Sequence, residues 1–343
     1  MAITLRKLIE KEISERHLNF IGYNKFTKSE KIGEGGFGIV SKSLWEECEL
    51  PVALKCLKGD LSPNDENVNP RDIREFVSEI KILQKVSYHS HIIQFYGVTK
   101  DNDGYFYIVM QLAEGDLRNY LRLNFSKLQW TDKYRIAKEI TLGLAYLHAI
   151  DIVHRDLHPR NILVYEGKMK IADFGLSKKI NETSFTSTGS IGHGVPVYMD
   201  PKCFTDPVYK RDKKSDIYSL GVILWEISSN RTPFSDLSEG HALVALVVQI
   251  SNGSREQPVE NTPEKYVELY TKCWDTDPNI RPSINSVRLE LNKLSGAKLY
   301  NSLNQHLSAS NIQINPTNLP THTATDFSDG YIHVSQASTN SAF

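Results

Sequence analysis

Four positions in this sequence combine residue types and an order that suit phosphoryl chemistry. Lys55 ends the apolar run VALK, where an ammonium is costly unless anions meet it. Asp156 and Asn161 lie five residues apart in HRDLHPRN, and Asp173 follows in IADFGLS. Moving a phosphoryl group asks for little covalent work from a protein. It needs positive charge around the phosphates and a group that orients the attacking hydroxyl. Magnesium takes oxygen ligands and is commonly held by one or two carboxylates plus the phosphates. Asn161 and Asp173 supply such oxygens, which leaves Asp156 to accept the hydroxyl proton. A lone Asp in a loop is ordinarily a turn residue. Several matched segments in one order make that coincidence negligible.

These side chains need elements to hold them. IGEGGFGIV (Ile32 to Val40) spaces Gly33, Gly35 and Gly38 as G-x-G-x-x-G, a weak signal alone. A dinucleotide fold would follow the glycines with a helix, but Ile39, Val40, Ser41 and Lys42 read as a strand. A glycine hairpin that closes over phosphates fits better. Lys55 follows Gly38 by 17 residues. Its expected carboxylate partner is Glu79, on a helix predicted over 71–85. From Phe26 to about Ile93 the pattern is otherwise strand-like. From Asp116 it is mostly helical, and DIYSLGVILWEI is apolar enough to be a buried helix. A strand-rich half followed by a helix-rich half predicts an α+β protein of two lobes.

The 343 residues, 40% hydrophobic and 24% charged, describe a globular chain with an ample core. A net charge of −1 does not favour nucleic acid or an anionic membrane as a partner. The longest apolar run, Ala242 to Val248, is too short to span a bilayer. Charges at Arg6, Lys7, Glu10 and Lys11 argue against a signal peptide. The four cysteines lack metal spacing and read as reduced thiols of a cytoplasmic protein. Leu5, Leu8, Ile9 and Ile13 share one face of an amphipathic N-terminal helix, expected to dock on the main domain or bind a partner. The 48 residues from Gly296 hold three Asp, Glu, Lys or Arg, and their Asn/Ser/Thr-rich composition predicts a disordered tail. The expected layout is therefore 1–25 helix and linker, 26–294 main domain divided near residue 112, and 295–343 tail.

The set IGEGGFG, VALK, HRDLHPRN, DFG, SDIYSLGVILWEI and CWDTDPNIRPSI resembles a eukaryotic protein kinase domain over about Phe26 to Leu294, closest in style to the tyrosine-kinase-like group. The resemblance implies a bilobal fold and ATP-dependent transfer to protein hydroxyls with Mg2+. Ile32, Gly33, Glu34, Gly35, Gly36, Phe37 and Gly38 would cover the nucleotide. Lys55 would bind its α- and β-phosphates and pair with Glu79. Asp156 would be the base, and Asn161 and Asp173 the magnesium ligands. Val40 and Ala53 would roof the adenine over Leu163, with Met110 as gatekeeper and Gln111 to Ala113 as hinge. Leu83, Phe95, His154 and Phe174 would stack as a spine, and Asp216 would anchor the catalytic loop.

Departures from the family pattern pose further expectations. Where kinases commonly carry Ala-Pro-Glu, this chain has Asp200, Pro201 and Lys202. Lys202 cannot pair with Arg281 as the glutamate would. Either another acid, Asp200 being nearest in sequence, compensates, or Arg281 is more solvated. His158 stands where serine/threonine kinases place a phosphate-contacting lysine, and Val195 where they place threonine. Arg160 matches receptor-type tyrosine kinases, while Pro159 matches the serine/threonine pattern. The balance favours serine/threonine, with dual or tyrosine specificity open. Arg155 and the segment Thr183 to Ser190 predict control by phosphorylation of the activation segment. Alternatives are a nucleotide-binding pseudokinase scaffold and a small-molecule phosphotransferase.

Overall fold

A computed structural model of the chain describes residues 18–35, 38–56, 70–179, 195–235 and 242–308. The amino-terminal half is built on β1 (Glu30–Gly35), β2 (Gly38–Trp45), β3 (Leu50–Cys56), helix α1 (Pro70–Val86), β4 (Phe95–Lys100) and β5 (Phe106–Gln111). The five strands form one antiparallel sheet in the order β1-β2-β3-β5-β4. β3 shows why this register is fixed. Val52 and Leu54 are fully buried, while the alternate residues Ala53 and Lys55 point to the other face.

The carboxy-terminal half follows with β6 (Gly115–Asp116), α2 (Leu117–Asn124), α3 (Trp130–Ala149), β7 (Ile152–Val153), β8 (Ile162–Tyr165), β9 (Lys168–Ile171) and β10 (Lys178–Lys179). After these come α4 (Lys202–Thr205), α5 (Lys213–Ser229), α6 (Ala242–Ser251), α7 (Glu264–Cys273) and α8 (Ile284–Ser308). The apolar helix expected around DIYSLGVILWEI is α5, and every residue from Ser215 to Ser229 is buried. Its start is set by Asp212, whose side chain accepts the N–H of Lys214 at 2.8 Å. The architecture is α+β, as the order of patterns predicts.

Structure continues past both expected boundaries. Leu18 and Ile21 are buried, and residues 19–21 pair with β4, ahead of residue 26. Residues 1–17, which carry the predicted amphipathic helix, lie outside the described residues. At the other end, α8 runs to Ser308 instead of stopping at 294. Leu294, Leu299, Leu303 and Leu307 recur at helical spacing there, a period that a count of charges cannot register. Residues 309–343 lie outside the described residues. The chain divides into two compact units, Met1–Lys298 and Leu299–Phe343. Among the described residues no helix is long and apolar enough to cross a membrane.

Candidate active site

Lys55 is 6% exposed at the end of β3, and its Nζ lies 2.7 Å from Glu79 Oε1 and 3.1 Å from Asp173 Oδ1. Glu79 is itself buried on α1. Burial alone would strip the proton from Lys55, but the Asp173 and Glu79 carboxylates outweigh it and hold the ammonium above its ordinary pKa. Burial would likewise push Asp173 up, yet Lys55 pulls it below the usual carboxylate range. The backbone of Asp173 is left-handed, with φ 62°. A non-glycine residue held there is uncommon.

The loop from His154 to Asn161 hangs on α5. Asp216, fully buried, accepts the backbone N–H of His154 at 2.9 Å and of Arg155 at 2.8 Å, and His148 Nε2 lies 2.8 Å from it. Burial opposes its charge, but the His148 contact and these N–H groups keep Asp216 below the ordinary range. Arg155 sits at φ 69°, so the anchor also holds a left-handed turn. Beyond it, Asn161 Nδ2 donates to Asp156 O at 2.9 Å and to Asp156 Oδ2 at 3.2 Å. The loop thus brings Asp156 and Asn161 side by side, each 7% exposed.

The glycine segment is a hairpin, with Gly35 opposite Gly38 and Gly33 opposite Val40. Ile32 is 48% exposed on this hairpin, and Glu34 is ion-paired with Lys31 at 2.6 Å. Gly36 and Phe37 lie outside the described residues. Val40 pairs with Lys55, and Ala53 with Met110, so three of the expected adenine neighbours lie on adjacent strands beside the lysine. Leu163 on β8 pairs with Asp116 on β6. Gln111 donates its backbone N–H to Gln94 O at 2.9 Å. Ala113 lies between β5 and β6, where the chain passes from the sheet to the helical half.

A family model described as protein tyrosine and serine/threonine kinase matches residues 26–291. The chain belongs to the protein kinase family. A Dictyostelium discoideum protein named probable serine/threonine-protein kinase kinX is 34% identical over 283 residues, covering 80% of this chain and 24% of the relative. The tyrosine-protein kinase transforming protein Fps of an avian sarcoma virus is 32% identical, covering 76% of this chain and 47% of the relative. The bovine insulin-like growth factor 1 receptor is 31% identical, covering 79% of this chain and 43% of the relative. The chain therefore spans less than half the length of these relatives.

Within the kinase frame, Leu83, His154 and Phe174 are fully buried and Phe95 is 9% exposed. The His154 and Phe174 rings lie 5.3 Å apart, and His154 Nε2 is 3.1 Å from Ala172 O. The Lys202 question has a direct answer. Arg281 donates through Nη1 to Asp200 Oδ2 at 2.6 Å and through Nη2 to Oδ1 at 2.9 Å, and both side chains are fully buried. Tyr209 Oη, Ser215 Oγ and the Lys202 N–H also donate to Asp200 at 2.8, 3.0 and 3.0 Å. The acid has moved two residues along the chain, and Arg281 keeps its partner.

His158 is enclosed beside Asp156. Its Nε2 lies 3.7 Å from Asp156 Oδ2, and its Nδ1 is buried with no partner. Burial pushes the imidazole below its ordinary pKa, against the pull of Asp156. The sequence reading also passed over Glu226. It is fully buried in α5, accepts a 2.5 Å hydrogen bond from Tyr198 Oη and is ion-paired with Arg118. Burial, only partly offset by Arg118, pushes Glu226 up to about 7. The available signal was an acid inside the apolar run LWEI, which has to find partners.

Proposed function

We propose that this kinase domain transfers the γ-phosphate of ATP to hydroxyl groups of protein substrates. One observation carries the reading most. Lys55 is a buried ammonium held charged by Glu79 and Asp173, and Asp156 and Asn161 lie bonded side by side in the loop that Asp216 anchors. Lys55 neutralises the α- and β-phosphates, and the glycine hairpin covers them. Asp156 takes the proton of the substrate hydroxyl as its oxygen bonds to the γ-phosphorus and the bond to the ADP oxygen breaks.

The oxygen donors fit magnesium. Asn161 spends its amide N–H groups on Asp156, which leaves its carbonyl oxygen available, and Asp173 offers a carboxylate. Among the described residues no group of three or more His, Cys, Asp or Glu is placed to hold a metal. A site made of two protein oxygens plus phosphates is what magnesium commonly accepts. When bound, the ion neutralises charge on the transferring phosphates. The Asp200–Arg281 pair removes the main argument for a scaffold, because the helical half keeps its internal anchor without the family glutamate.

We place the acceptor on serine or threonine, following Pro159 and the tyrosine-kinase-like character of the motifs. A cytoplasmic signalling role belongs to the same proposal, in line with four cysteines that show no metal spacing in the sequence. The activation-segment residues Thr183 to Ser190 lie outside the described residues, and their autophosphorylation belongs to the same proposal. Incubation with γ-labelled ATP and Mg2+, followed by phosphoamino-acid analysis, tests both parts. Label on serine or threonine supports the reading, and label on tyrosine alone refutes the specificity.

A further inference from the structure

β4 is the terminal strand of the five-stranded sheet, and a terminal strand presents unpaired backbone groups. The residues from Leu18 to Ile21 occupy that edge. Ile21 N donates to Val98 O at 2.9 Å, Val98 N donates to Asn19 O at 2.8 Å, and Phe20 bridges Val98 in parallel. Asn19 Nδ2 adds a bond to Tyr96 O at 2.7 Å. β4 is shaped to receive this strap. Its register shifts between Phe95 and Gly97, and a Cβ at position 97 would lie 2.4 Å from Asn19 O. Only glycine permits so close an approach.

The two ends of the strap enter different apolar clusters. Leu18, 7% exposed, enters the main apolar core of the protein, to which α1 contributes Phe76, Ile80 and Leu83. Ile21, 4% exposed, joins Phe26, Val52, Leu54 and Val109, and so packs with the strand that carries Lys55. One short segment is therefore bonded to the sheet edge and enters the two apolar clusters to which α1 and β3 contribute.

We propose that Leu18–Ile21 is a positioning strap that fixes α1 against the sheet and so holds Glu79 on Lys55. The proposal deepens the kinase reading and rests on it. Leu18 and Gly97 touch no reacting atom and act through Glu79.

The test is a double-mutant cycle in the full chain, reading kcat, KM for ATP, the ATP dissociation constant and the melting temperature. Leu18→Ala, assayed well below its melting temperature, is expected to weaken ATP binding and lower kcat/KM by about tenfold, as coupled positions do. Gly97→Ala should reproduce the loss, and Leu18→Met should restore most of it. In a Glu79→Gln background, Leu18→Ala should add less than about twofold, because its route to Lys55 is already cut. Equal losses in both backgrounds, or a lowered melting temperature with unchanged kinetics and ATP affinity, would overturn the strap. If wild-type protein transfers no phosphate, the kinase reading fails instead. The ATP-affinity cycle still decides the strap in that case, because binding needs no turnover.

Discussion

Replacing Asp200 with Asn removes the negative charge facing Arg281 while keeping the shape of the side chain. Both members of the pair are fully buried, and Asp200 accepts two guanidinium bonds at 2.6 and 2.9 Å. Removing one partner of such a pair leaves a buried charge uncompensated, at a cost of about 3–5 kcal/mol. At about 2–4 °C per kcal/mol for a domain somewhat smaller than this one, the melting temperature should fall by roughly 6–20 °C. Lys202→Glu should leave it within about 2 °C, a surface-sized effect, because Arg281 is already satisfied. The pH dependence has a definite sign. Burial opposes ionisation of Asp200, but Arg281 outweighs it and depresses the folded-state pKa. The stabilisation is therefore complete above the unfolded carboxylate value of about 3.9 and is lost as pH falls through the folded value. Thermal unfolding of wild type and Asp200→Asn across pH should show a full gap at pH 7 that narrows below about pH 4. A gap under about 2 °C at pH 7, or a clear gain from Lys202→Glu, would refute this account of the pair.

Glu226 gives the opposite pH signature. Its pKa is raised from 4.5 to about 7 by burial, so the folded state binds more protons and stability falls as pH rises from about 4.5 to 7. Denaturant titrations should show that slope in wild type and a shallower one in Glu226→Gln. Asp216→Ala leaves the His154 and Arg155 N–H groups without their acceptor, at about 1–3 kcal/mol for each buried donor, and should lower both stability and transfer in parallel. Burial lowers the His158 pKa, so any inflection it gives the rate profile should lie below the ordinary histidine value of about 6.5. An inflection above that value that disappears in His158→Ala would contradict this.

The features legible in the sequence are those that local spacing dictates. The turn glycines, the strand lysine and the DFG aspartate sit in short segments whose conformation is set by neighbours. The order of strands and helices follows from the same patterns. Glu79 was readable from the order of glycine loop, strand lysine and helix acid, because a buried lysine needs a carboxylate partner. What escaped depends on partners far away in the chain. Asp200 could be offered only as one of two answers, because it meets Arg281 across 81 residues and no local rule says which acid will reach a buried guanidinium. The strap at Leu18–Ile21 was read as linker because four residues carry no period, and only the open edge of β4 gives them a place. His158 was placed by its position in a motif, and the motif does not encode the burial that lowers its pKa. The extension of α8 to Ser308 was hidden by composition, since leucines at helical spacing were diluted among Asn, Ser and Gln.

The most direct measurement is transfer of label from γ-labelled ATP, with Mg2+, to protein by the wild-type chain and by Asp156→Asn. Asn161 bonds to the main-chain carbonyl of Asp156 as well as to its side chain, so the substitution should leave the loop and the melting temperature nearly intact. The account predicts incorporation by wild type and a loss of roughly 100-fold or more in Asp156→Asn, the scale of a general base. Equal incorporation by the two proteins, or none by correctly folded wild type, would contradict it.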